Sequence, residues 1–210
     1  MSIQTRTNHP DSGPQVAKAV TCFTPGTLIT TKGGRRAVES LRPGDRALTR
    51  DNGFQPVIWT GQHVCNNLNQ NCGRLATPVL IRADALAPGL PERDMLVSPQ
   101  HRFLTTDPAR LSGTGESEAL IEAIALIGAP GIERATCESV TYIHILFEQH
   151  EIILSENAWS ESFQLTQANA RALAQDCQIK ASPCFSDADH TGVTLQCPAR
   201  TCLPNTASAA

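Results

Sequence analysis

Between residues 21 and 163 the chain is built of short apolar or β-branched stretches, each closed by a turn signal. Residues 27–31 are β-branched and end at Gly33-Gly34, a pattern that predicts a hairpin. Residues 37–41 predict the next short strand. Arg42-Pro43-Gly44-Asp45 predicts a turn, because Pro presets one φ and Gly tolerates a positive one. Ala47-Leu48-Thr49 runs into a second turn at Asp51-Asn52-Gly53. Residues 54–64 then read as one longer strand around Val57-Ile58-Trp59, with Pro56 marking its entry or an edge. Residues 79–82, 95–97, 140–147 and 151–154 complete the predicted strands. Residues 65–77, 85–93 and 112–117 are polar or Pro/Gly-punctuated and predict irregular structure. Residues 118–127 fit a short helix or a β segment equally, since periodicity does not separate the two in so short an apolar run.

Many short strands with frequent turns predict an all-β architecture. Two flanks differ in texture. Residues 1–21 are rich in Thr, Ser, Asn, Pro and Gly and predict a flexible leader. Residues 166–177 are Ala-rich and free of breakers, and Thr166 can cap them, so a short C-terminal helix is expected there. A Cys-, Pro- and Ser-rich tail follows to residue 210. The expected organisation is a leader over 1–21, one domain over 22–163, and helix plus tail over 164–210.

Composition narrows the function classes. The net charge of −3 lacks the basic excess of a nucleic-acid binder. No run of about eighteen apolar residues is present, so no membrane span is expected. Residues 1–18 lack the apolar core of a secretory signal, which leaves the compartment open between cytoplasm and a signal-independent export. No cofactor is called for. Cys184, His190, Cys197 and Cys202 are four residue types able to bind zinc, but their gaps match no paired Cys-x-x-Cys knuckle, so no metal site is expected. Cys65 and Cys72 lie in one polar loop, where a local disulfide competes with two reduced thiols.

The candidate chemistry centres on Cys22, in Cys22-Phe23-Thr24-Pro25-Gly26. Two later segments accompany it. Leu41-Arg42-Pro43-Gly44-Asp45-Arg46-Ala47-Leu48 carries Asp45, and Leu96-Val97-Ser98-Pro99-Gln100-His101 carries Ser98 and His101. Breaking a resonance-stabilised peptide bond needs a nucleophile, stabilisation of the tetrahedral oxyanion and a proton for the leaving nitrogen. A thiol directly after the bond can attack its carbonyl within the chain, which removes the entropic cost of assembly. His101 is the candidate acid, because histidine changes charge near neutrality. Ser98 supplies a hydroxyl beside it. Asp45 has two readings of equal weight, a residue that closes its own turn or a participant in catalysis.

This ordered set resembles the Hedgehog/intein (Hint) family of self-processing domains, and most closely the bacterial branch not embedded in a host enzyme. The resemblance runs from about Cys22 to Phe163. It implies a flattened all-β horseshoe with internal pseudo-twofold symmetry. It also implies autocatalytic attack of Cys22 on the Thr21 carbonyl, giving a thioester. Ser98 stands where the family usually has Thr, one methyl fewer with the hydroxyl kept. Tyr142-Ile143-His144-Ile145 and Gln149-His150-Glu151-Ile152 resemble the last strand pair. There the family often carries an Asp or Cys near His144 and a His near His150, either of which would tune the thiol. Ser162 falls where Hedgehog proteins carry a second cysteine, which removes that route to a disulfide with Cys22.

The resemblance stops short of splicing. Splicing needs a terminal His-Asn followed by Cys, Ser or Thr, whereas Asn157 lies between Glu156 and Ala158. The segment after Phe163 is short, polar and cysteine-bearing and does not suggest a sterol site, so water or a small nucleophile is the expected acceptor. The substrate is the chain's own N-terminal segment. Two other readings use the same residues: a catalytically silent Hint-fold module that binds or supports a partner, and a Cys-His protease acting on other chains.

Overall fold

The computed structural model describes residues 21–66, 68, 77–166, 169 and 195–204. The predicted all-β architecture is what forms. Strands β1 (Leu28–Thr31) and β2 (Gly34–Ala37) make the expected hairpin, paired from Leu28↔Ala37 to Thr31↔Gly34. Gly34 holds a φ of +100°, which the tight turn requires and a side chain would resist. Residues 38–40 wind into a 3-10 turn where a strand was expected, so the second strand lies three residues earlier than the pattern suggested. Strand β3 (Arg46–Thr49) folds back on β4 (Gly53–Pro56) around the Asp51-Asn52-Gly53 turn.

The single strand expected over residues 54–64 is two. The chain leaves β4 at Pro56 and starts β5 (Trp59–Asn66) on a different sheet. Bonding to the β3 side continues one residue past Pro56, Val57 N–H donating to the Asp45 carbonyl at 2.8 Å, and Ile58 N–H then donates to the Leu146 carbonyl of β11 at 2.8 Å, so the chain changes partner between Val57 and Ile58. Strands β6 (Val79–Ile81) and β7 (Met95–Val97) form where expected. β8 (Arg102–Thr105) was not foreseen, and neither were β10 (Ile132–Arg134) and β13 (Ala158–Glu161). Residues 118–127 satisfy both readings in turn: β9 (Ala119–Glu122) passes into a 3-10 turn over 123–126. β11 (Ser139–Leu146) and β12 (Ile152–Ser155) occupy the expected segments. The expected helix over 166–177 lies almost entirely outside the described residues.

An eight-stranded sheet runs β2-β1-β3-β12-β13-β8-β9, with β4 added at β3. A three-stranded sheet, β10-β6-β7, and a long ribbon, β11-β5, complete the fold. The ribbon is paired from Ser139↔Asn66 to Leu146↔Trp59. β11 is buried at nearly every position, because both of its faces are covered. The core is built from Phe23, Ile29, Val97, Phe103, Ile143 and Ile153, drawn from all three sheets.

Phe23 joins the two smaller sheets. It exchanges backbone hydrogen bonds with Ile143 on β11, 2.9 Å each way, and bridges Val97 at the end of β7 on its other side. The segment that carries the candidate nucleophile is therefore a short strand wedged between the two segments that carry its candidate partners.

Candidate active site

Cys22 is 1% exposed. Its position follows from the Phe23 bridge. With Phe23 paired to Ile143 and Val97, the preceding residue must lie between His144 and Ser98. Ser98 N–H donates to the Cys22 carbonyl at 3.1 Å, and Cys22 N–H donates to Ser98 Oγ at 3.0 Å. Ser98 thus takes the amide of the Thr21–Cys22 bond. On the other side, His144 Nδ1 lies 3.6 Å from Cys22 Sγ and 3.0 Å from the carbonyl oxygen of Thr21. Both ends of one peptide bond and the sulfur beside it are held by two side chains.

His144 is itself held. Its Nε2 lies 3.2 Å from Nδ1 of His63, and the two rings stack at 5.3 Å and 14°. His63 is on β5, diagonal to His144 across the ribbon, since Tyr142 faces His63 and Gly61 faces His144. Trp59 stacks on the same imidazole at 6.3 Å, and Phe163 meets it edge-on at 5.1 Å. Burial, then the neighbouring His63, pushes the His144 pKa down to about 3, against the bond to the Thr21 carbonyl that raises it. The ring is neutral at pH 7. Burial also pushes the Cys22 thiol well above its ordinary range, with only the Ser98 hydrogen bond acting the other way.

His101 arrives by a turn from Ser98, its N–H donating to the Ser98 carbonyl at 3.0 Å. Its ring packs at 4.5 Å against Phe23 and at 5.3 Å against Phe103. It is fully buried, and neither ring nitrogen has a hydrogen-bond partner among the described residues. Burial is the main reason its pKa falls to about 4; Arg102 lowers it further and Glu161 raises it.

The other expected residues sit as follows. Asp45 closes its own turn: one carboxylate oxygen accepts from Arg36 at 2.7 Å and the other from the Arg42 amide at 2.7 Å. Ser162 Oγ accepts from the Glu151 amide at 3.0 Å and ties β12 to the end of β13. His150 accepts from the Ala199 amide through Nδ1 at 2.9 Å, and its Nε2 faces Glu161 at 3.2 Å. Of the zinc candidates, Cys197 and Cys202 are exposed, while Cys184 and His190 lie outside the described residues, as does Cys72. Among the described residues no cluster of His, Cys, Asp or Glu is disposed to hold a metal ion. No described helix is long and apolar enough to cross a membrane.

Sequence reasoning missed two residues of this site. His63 stands in a strand of mixed polarity with nothing local to single it out. Glu161 looks like a solvent-facing acid in Ser160-Glu161-Ser162, yet it is fully buried and its carboxylate accepts from the Thr21 hydroxyl at 2.6 Å. A polar, charged pair of positions inside an otherwise buried strand end was the available signal.

The Hint domain family matches residues 21–167, which is most of the chain. The chain belongs to the Hint domain family, a class of self-processing domains. Among solved structures it is similar to the bacterial intein-like domain from Clostridium thermocellum, at 15% identity and a TM-score of 0.41. That match covers 67% of this chain and 97% of the other. It is similar also to a DnaB intein from Synechocystis sp. PCC 6803, at 11% identity and a TM-score of 0.40, covering 68% and 98%. No curated protein matches it.

Proposed function

We propose that this chain cuts its own backbone at Thr21–Cys22 by an N-to-S acyl shift. Cys22 Sγ attacks the Thr21 carbonyl carbon, the C–N bond breaks, and a thioester joins Thr21 to the sulfur while Cys22 keeps a free amine. Water or another small nucleophile then takes the acyl group and releases the leader. No splicing follows, because Asn157 lacks the flanking residues that splicing needs. The chemistry is single-turnover, acts in cis and calls for no cofactor.

The observation that carries this reading is the placement of His144 Nδ1, 3.0 Å from the Thr21 oxygen and 3.6 Å from Cys22 Sγ. A neutral imidazole has two tautomers. With the proton on Nδ1 it donates to the Thr21 oxygen, where negative charge develops. With Nδ1 bare it accepts the thiol proton while Nε2–H donates to His63. One ring in two tautomers serves as base and oxyanion donor, and His63 takes the proton that Nε2 gives up. Ser98 orients the amide, so that the leaving nitrogen faces a hydroxyl. His101 is the acid of this scheme: neutral at rest and without hydrogen-bond partners among the described residues, it acts once it has taken up a proton, and the net reaction moves one proton from Cys22 Sγ to the leaving nitrogen. In this reading Asp45, His150 and Ser162 hold the turn and strand ends that frame the site.

A second reading has one observation in its favour. Burial raises the thiol well above its ordinary range and keeps both His144 and His101 neutral, which suits a silent Hint-fold module as well as a resting enzyme. Intact mass separates the two. With added thiol or hydroxylamine the wild type is expected to lose the residues before Cys22, and Cys22→Ala to stay whole. If both stay whole under every nucleophile, the cleavage reading falls and the silent module stands.

A further inference from the structure

The proposed chemistry uses no residue of β13, yet β13 ends in a buried carboxylate aimed at the scissile residue. Glu161 Oε1 accepts from Thr21 Oγ1 at 2.6 Å and from the Arg102 amide at 3.0 Å. Its Oε2 accepts from the Arg102 guanidinium at 3.1 Å and faces His150 Nε2 at 3.2 Å. Burial alone would raise this carboxyl; the His150 hydrogen bond, then Arg102 and His101, bring it below its ordinary value. It is therefore ionised at neutral pH and can only accept, so the Thr21 hydroxyl donates. A distance of 2.6 Å is that of an O–H donor on a charged oxygen.

Residue 21 is thus held at its side chain by Glu161 and at its carbonyl by His144, while the next amide is held by Ser98. We propose that Glu161 forms a subsite selecting a hydroxyl-bearing residue, Thr or Ser, immediately before the scissile bond. This rests on the Thr21–Cys22 cleavage reading. Valine has the shape of threonine but no donor, and leaves a buried charged oxygen one partner short. Aspartate or glutamate would set a second carboxylate against the first. The leaders this chain can process are then those that end in a small hydroxyl residue.

The test has two readouts. In nucleophile-induced cleavage, Thr21→Ser is expected to stay close to wild type. Thr21→Val is expected to be at least about tenfold slower, the scale of one hydrogen bond to a charged group, and Thr21→Asp slower again. The second readout needs no cleavage. In the Cys22→Ala chain, hydrogen exchange at the residue 22 amide reports whether the scissile segment is held. Thr21→Val should speed that exchange by about tenfold, and Thr21→Ser should leave it unchanged. Because Glu161→Gln also disturbs the contacts to Arg102 and His150, it is used only in a cycle: Thr21→Val should add little in the Glu161→Gln background. Unchanged exchange in Thr21→Val, or fully additive effects, would overturn the subsite. Wild type that never cleaves, with exchange behaving as expected, would sink the cleavage reading and leave the contact standing.

Discussion

His144 Nδ1 reaches two atoms of one reaction, the Thr21 carbonyl oxygen at 3.0 Å and Cys22 Sγ at 3.6 Å. If it supplies the oxyanion donor, His144→Ala should slow cleavage by about 10²- to 10³-fold, the cost of losing one such donor. His63→Ala removes only the group behind it and should cost less, about 10²-fold at most, the low end of what an acid–base partner contributes. Rates of thiol-induced cleavage followed by intact mass decide this. Equal losses in the two variants would mean that His63 does more than take up a proton.

Two of the buried histidines, His101 and His144, should make the fold acid-sensitive above the usual carboxylate range. Folded His101 and His144 have pKa values of about 4 and about 3, below the 6.5 of an unfolded histidine. Between those limits the unfolded chain binds more protons than the folded one. Stability is therefore fullest above pH 6.5 and falls as pH drops from 6.5 toward 4, by up to about 1.4 kcal/mol per pH unit for each ring. Urea midpoints at pH 7, 6 and 5 measure the slope. His101→Phe keeps the packing against Phe23 and Phe103 and should flatten it; an unchanged slope would assign the effect elsewhere.

Gly61 faces His144 across the ribbon and has no room for a side chain. A Cβ there would collide with the indole of Trp59, which stacks on His144. Gly61→Ala should cost about 1–3 kcal/mol, the scale of overpacking a buried site, and should slow cleavage through the displaced ring. Denaturant unfolding read by tryptophan fluorescence checks the first part, and cleavage at a temperature where the variant is folded checks the second.

Glu156, 1% exposed, caps the β12–β13 turn from a positive φ of 44°. It accepts from the Leu28 amide at 2.6 Å and from Arg93 at 2.5 and 3.0 Å. Glu156→Ala should cost about 2–3 kcal/mol, because the Leu28 amide loses its acceptor while Arg93 turns to water. Glu156→Gln keeps that acceptor and should lose less. Calorimetric midpoints of the two variants against wild type check the order.

Much of this protein is written locally. Gly33-Gly34 and Asp51-Asn52-Gly53 announce hairpins because turn chemistry depends on a few adjacent dihedrals. Cys22, Ser98 and His101 could be named from short motifs, and the family with them. Other features depend on which strands meet. The break after Pro56 became visible only when β4 and β5 joined different sheets. β8, β10 and β13 are too short to show a period, and their strand state comes from the partners they find. His63 and His144 are 81 residues apart and touch because of the β5–β11 register. Glu161 reaches Thr21 across 140 residues. Alternation of polar and apolar positions says which face of a strand is covered. It does not say by what, and a buried carboxylate is distinguishable from a solvated one only after Arg102, His150 and Thr21 have been brought to it by strands far apart in the chain.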